Sequence, residues 1–293
     1  MNLYQTRDFG EKINATIQYA VKQVRSLSLA LVYIAGAPAL IAGIASGIAS
    51  ASLLNMPPTG NGSYRMGYWL AQQMSSPYYI VALVVAIFIP LLVNLTVYSH
   101  LKVYHRNHGE PVTVEAVWAE VQNAFGRAFV TWLAVGILVI IGAMFFIVPG
   151  IYLGVVFSLA LVTVVFENGS VGTFMSRCFE LIRDKWWSTF GLIIIISFIA
   201  YILSFAFNVP AAAVSLMVSL KLAPSMPTYI TVLTSILSTI GSVLVSAIIA
   251  LAIAFQYFNL VERRDGRSII AAIESIGSPP PPPIPRSNDE GDY

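Results

Sequence analysis

Behind Thr113 the apolar residues Val114, Val117, Trp118, Val121 and Phe125 stand at offsets of 0, 3, 4, 7 and 11, with Glu115, Glu120, Gln122 and Asn123 among them. That is the one-sided pattern of an amphipathic helix with Thr113 as N-cap. The pattern returns 57 residues later, with Ser170 as N-cap and Val171, Phe174, Met175, Cys178 and Ile182 at the same offsets. Arg177, Glu180, Arg183 and Asp184 supply polar positions there. Each helix is too polar to cross a bilayer and has one apolar face, so each is expected at the membrane interface or capping a bundle. Between them, 128–148 and 151–166 are apolar and uncharged, and Pro149-Gly150 predicts the tight turn of a helical hairpin.

Further uncharged apolar runs predict spans over 27–54, 79–98, 189–207 and 230–258, six in all. Residues 1–26 read as a third amphipathic helix, with Phe9, Ile13, Ile17, Ala20 and Val24 against Lys12, Gln18, Lys22 and Arg25, opened by a capping box of Asp8 and Glu11. This polar, acid-bearing stretch is unlike a signal peptide. Span one carries Ala35, Ala39, Gly43, Gly47 and Ala51 every fourth residue, a stripe that lets helix backbones approach closely. Span six repeats the device with Ser238, Ser242, Ser246, Ala250 and Ala254. A serine stripe suits a water-filled path or close packing on span one; packing is the expectation, because hydroxyls bond back to their own helix. Pro90 should kink span two, and Asn94 is expected to bond across to a neighbouring helix. Residues 208–227 read as an outer segment with a short surface helix near 211–222, and a second short helix is expected near 268–276. The domain plan is an N-terminal helix (1–26), a six-span membrane domain (27–276) and a disordered proline-rich tail (277–293) that would suit a polyproline-binding partner.

Composition agrees with this all-α polytopic bundle. Hydrophobic residues make up 57% of the chain, charged residues 10%, and mean hydropathy is +0.76. Ordinary soluble domains carry about 25% charged residues. The net charge of +2 is scattered, so no nucleic-acid surface is built. The single cysteine, Cys178, excludes an internal disulfide and reads as a small buried residue. All three histidines, His100, His105 and His108, fall close together with Glu110, but their spacing does not place them on one helix face, and no metal or other cofactor is expected. They read as polar residues marking the end of span two. All Lys and Arg except Arg65 and Lys221 fall in 1–26, 101–127, 167–188 and 259–293. The positive-inside rule then puts both termini in the cytoplasm.

Pro149-Gly150-Ile151-Tyr152-Leu153, Glu167, Ser176-Arg177, Trp186-Trp187 and the closing Tyr257-Phe258-Asn259-Leu260-Val261-Glu262-Arg263 carry a resemblance. Together they resemble a bacterial family of six-span proteins akin to the glycerophosphoryl diester phosphodiesterase membrane domain. Ser176-Arg177 reverses the family's order, and Asn259 stands where that family has an acid. The resemblance implies a multi-pass protein of the bacterial inner membrane, with Pro149, Gly150, Tyr152, Glu167, Arg177 and Trp187 as its structural motif. It covers 145–275 in motifs and the N-terminal half in topology alone.

No catalytic constellation is legible. Coupled carriers place acids or bases at mid-membrane, and these spans offer Asn94 and hydroxyls instead. The expectation is a membrane protein without catalytic activity that organises or assists assembly of envelope components, its partners the lipid bilayer and other membrane proteins. The alternative is a passive or lipid-handling transporter or channel.

Overall fold

Asp8 and Glu11 close the first helix by reciprocal bonds: Glu11 N donates to Asp8 Oδ1 at 2.7 Å and Asp8 N donates to Glu11 Oε2 at 2.8 Å. In the computed structural model this helix is α1 (Phe9–Lys22). Residues 3–54, 71, 73–107, 111–167, 169–220, 222, 226–266 and 270 are described. The expected short helix near 268–276 and the tail 277–293 lie outside them, apart from residue 270, which is helical. After α1 come α2 (Val24–Leu54), α3 (Pro77–Arg106), α4 (Val114–Phe145), α5 (Ile147–Phe157), α6 (Ala160–Phe166), α7 (Val171–Ile182), α8 (Trp186–Ser219) and α9 (Thr228–Asp265). No strand occurs among the described residues. Six segments are long and apolar enough to cross a membrane: α2, α3, α4, α5 with α6, α8 and α9. The protein is an all-α multi-pass bundle.

Helices of 30 to 38 residues exceed the roughly 20 that a bilayer core needs, so several project beyond it. The projecting ends gather at one side. There the N-terminal segment, α1, α7 and the charged ends of α3, α4 and α9 share a tightly buried core built on Tyr19, Tyr98, Phe174, Phe255, Tyr257 and Phe258. Lys102 ties three helices together: its Nζ lies 2.6 Å from Glu120 Oε1 on α4 and donates to the Val165 carbonyl on α6 at 2.7 Å. The opposite end is apolar and open, with Met144 to Val148 each 74–81% exposed. Such a surface suits acyl chains and not water.

Four sequence expectations need correction. Thr113 does cap a helix, but the amphipathic segment does not stop at the interface: α4 runs unbroken from Val114 to Phe145 into the third span. No proline lies between Phe125 and Ala128, and Gly126 alone does not interrupt the helix, so the segment forms the projecting start of a span. The hairpin turns at Phe146, which alone is extended (φ −159°, ψ 150°). Pro149 falls in the first turn of α5, where its missing N–H would have had no helical partner. Gly150 serves the packing: a Cβ there would stand 2.8 Å from Ala143 Cα across the hairpin. In α1 the buried residues are Lys12, Ala15, Thr16 and Tyr19, while Ile17 and Val21 are exposed. The side turned to the bundle is therefore not the apolar stripe of the pattern: Lys12 and Thr16 lie inside and Ile17 and Val21 outside. Finally, the expected outer helix at 211–222 is the continuation of α8, which passes through Pro210 to Ser219.

Candidate functional site

Helix α9 forms the floor between α3 and α8, and along it runs a cavity of about 590 Å³. One wall is Ala86, Ile89, Pro90, Val93 and Asn94 of α3; the floor is Ser238, Thr239, Ser242, Ser246, Ile249 and Ile253; Asn208 of α8 closes the far side. Ala86, Pro90, Asn208 and Ser242 are exposed, so the groove opens sideways. Pro90 has no N–H, so the Ala86 carbonyl loses its i+4 donor on this wall.

Ser238, Ser242 and Ser246 line this groove. Gly43 and Gly47 do face α9: added Cβ atoms would stand 2.9 Å from Ile236 Cα and 2.5 Å from Val232 Cα. The serines lie on the groove side, with Ser242 Oγ donating to the Ser238 carbonyl at 2.8 Å and Ser246 Oγ to the Val243 carbonyl at 2.9 Å. Ser238 Oγ reaches α8, 3.0 Å from Asn208 Oδ1. Asn94 makes no bond across helices either. Its Nδ2 donates to the Pro90 carbonyl at 2.7 Å and its Oδ1 accepts from Tyr98 Oη at 2.9 Å, both within α3. With the Ser242 and Ser246 hydroxyl protons turned into their own helix and that of Ser238 turned to α8, the groove presents mainly aliphatic carbon and hydroxyl oxygen lone pairs.

At the charged end Arg177 gathers three carboxylates. Its Nε lies 3.3 Å from Glu167 Oε2, its Nη1 3.2 Å from Glu180 Oε2, and its Nη2 donates to Asp265 Oδ2. Glu167 also accepts from Tyr257 Oη at 2.8 Å, and Arg264 Nε donates to Glu180 Oε1 at 2.7 Å. Burial alone would lower the Arg177 pKa, but the bonds and charges of Asp265, Glu167 and Glu180 outweigh it and hold the guanidinium more firmly protonated than usual. This network joins the end of α6, the polar face of α7 and the last turn of α9.

The remaining motif residues form an edge rather than a site. The Trp186 ring stacks on Tyr152 at 5.9 Å and its Nε1 donates to the Tyr152 carbonyl at 3.3 Å. Trp187 is 77% exposed. His100 and His105 do not converge: His100 is buried with Nδ1 2.8 Å from Tyr19 Oη and Nε2 3.0 Å from Ser26 Oγ, whereas His105 packs edge-on against Tyr4. His108 and Glu110 lie outside the described residues. No group of three metal-ligating side chains occurs among the described residues.

Lys12, Tyr19, Gln256 and Asp265 were not singled out as site residues by sequence. Gln256 carried a signal, an uncharged amide inside an apolar run. Lys12 carried none, since a lysine on an amphipathic helix ordinarily faces water. Comparison with family models, with curated proteins and with solved structures finds no match to this chain.

Proposed function

We propose that this chain is a lipid-handling protein of the bacterial inner membrane, non-enzymatic, with both termini in the cytoplasm. The observation that carries this reading is the sideways-open groove between α3 and α9. Its floor from Ser238 to Ile253 spans about 22 Å at 1.5 Å per residue, most of the roughly 30 Å hydrocarbon thickness. What faces such a groove is the bilayer, so an acyl chain is the occupant its walls suit. No nucleophile–base pair faces it among the described residues, which favours binding over chemistry. The orientation rests on the distribution of Lys and Arg. The resemblance to the phosphodiesterase membrane-domain family agrees with a multi-pass inner-membrane protein and adds no substrate. A scaffold for envelope assembly ranks behind because no surface among the described residues specifies a protein partner.

The test is phospholipid carried through purification. Native mass spectrometry of the detergent-solubilised protein should show bound phospholipid. Ser242→Trp or Ala86→Trp, filling the groove, should remove it at unchanged melting temperature. Wild-type protein free of lipid, or blocked variants with an equal complement, would overturn the reading. For orientation, a reporter active only outside the cytoplasm should be silent after Tyr293 and active at Gly60.

A further inference from the structure

Where α1 crosses α8 and α9 lies a small cleft of about 140 Å³; beside Arg7 of the N-terminal segment, three cations from separate elements line it: Lys12 of α1, Lys185 just before α8 and Arg263 of α9. Lys12 is 96% buried by its own fold, with 4% exposed, yet its partners are neutral: Nζ donates to Gln256 Oε1 at 2.8 Å and to Ser188 Oγ at 3.3 Å. An ammonium has three donors, so one is unused. Arg263 likewise bonds neutral groups, Asn259 Oδ1 at 2.9 Å and the Arg7 carbonyl at 3.4 Å. Among the described residues no carboxylate lies within 4 Å of any of the three cations. The acid on the cleft wall, Asp8, has its Oδ1 engaged in capping α1.

A cation withdrawn from water without a counter-charge is costly, and like neighbours raise the cost. The Lys12 pKa reflects both: burial lowers it, Arg263 and Lys185 lower it further, and Asp8 offsets only part. An anion in the cleft would relieve that cost. We propose that this cleft binds a phosphate group, borne by a lipid headgroup or by a soluble phosphate. The volume is that of roughly four to five waters, enough for one tetrahedral oxyanion. Three donors from separate directions suit its several oxygens better than a planar carboxylate's two. The place suits a headgroup: Lys185 directly precedes Trp186 and Trp187, and basic pockets between spans at the charged side of a bundle take anionic headgroups. On α9 the groove residues Ser246, Ile249 and Ile253 continue at three- and four-residue steps as Gln256, Leu260 and Arg263, so the cleft follows the groove on one helix face. The phosphate site stands whether or not a chain fills the groove.

The test uses the full chain in detergent. Melting is followed with inorganic phosphate against chloride at equal ionic strength, and with phosphatidylglycerol against phosphatidylcholine added to the micelles. A ligand that binds only the folded state raises the midpoint. Lys185→Gln removes an exposed cation that makes no bond, so its own midpoint should match wild type while the ligand-induced rise falls at least several-fold; Lys12→Gln should abolish the rise. A rise with phosphatidylglycerol alone assigns the site to a headgroup, and a rise with inorganic phosphate as well assigns it to phosphate in either form. No rise with either ligand, or equal rises in wild type and both variants, would overturn the site.

Discussion

A Cβ on Gly47 would stand 2.5 Å from Val232 Cα, closer than real side chains come to a neighbouring backbone. The crossing of α2 over α9 is set by backbone contact, and neither helix can yield without moving the bundle's central element. Gly47→Ala should therefore destabilise by about 1–3 kcal/mol, the usual cost of overpacking, and Gly43→Ala by less. Gly126→Ala and Gly136→Ala, with nothing within 4 Å, should be neutral or stabilise by up to about 1 kcal/mol. Thermal melting of the four variants in one detergent checks the order.

The spans were legible because a long uncharged run has few alternatives once backbone groups must be satisfied without water. The caps at Asp8, Thr113 and Ser170 were legible for a local reason: side chain and backbone sit within three residues of each other. The turn at Phe146 was not, because proline signals where a helix cannot continue, and it fits equally in a first turn. The small-residue stripe of α2 points at α9, whereas the serine stripe of α9 lines a groove toward α3 and α8. Both are small-residue patterns at the same spacing, and periodicity does not say which face meets which helix. Lys12 was hidden for a related reason. The one-sided apolar pattern of α1 does not mark its buried face, which mixes Lys12 and Thr16 with Ala15 and Tyr19 while Ile17 and Val21 stay outside.

Tyr19 should make the protein sensitive to alkali. Burial first, and then Tyr104, raise its pKa above the ordinary 10.0. Its folded form stays neutral where the unfolded phenol ionises. This contribution is fully present below pH 10, the unfolded value, and is lost as pH rises toward the higher folded value. Melting temperature should fall on passing from roughly pH 9 to 11, and Tyr19→Phe should flatten part of that fall. At neutral pH the same variant should cost about 1–3 kcal/mol, because His100 Nδ1 loses its partner at 2.8 Å while buried. An unchanged alkaline slope in Tyr19→Phe would assign the effect to other groups.

Cys178 should resist thiol reagents until α7 leaves the bundle. It is fully buried, and its thiol is pushed up to about 12 by burial, with Thr163 opposing. The thiolate is the reactive form, so labelling near pH 8 should be slow in the native protein and fast after denaturation. Arg177→Gln, which loosens α7, should accelerate native labelling.

The Arg177 network decides how α7 is held. Glu167 and Arg177 are each mostly buried, with side chains 18% and 15% exposed, so their attraction is less screened than that of a surface pair. Arg177 also holds Asp265 and Glu180, and its planar fork serves several acceptors at once, which a lysine cannot copy. Arg177→Gln should cost about 2 kcal/mol, Arg177→Lys less, and Glu167→Gln about 1 kcal/mol, in line with hydrogen bonds to charged groups. Glu167→Gln loses less because the amide oxygen still accepts from Tyr257, now 2.8 Å from Oε1. If the pair is coupled, Glu167→Gln with Arg177→Gln should cost clearly less than the sum of the single variants, by about 1 kcal/mol. Denaturant unfolding of the four proteins in mixed micelles measures the cycle. Strict additivity would mean that Arg177 is held through Asp265 and Glu180 alone, and α7 would then be anchored to α9 rather than to the end of α6.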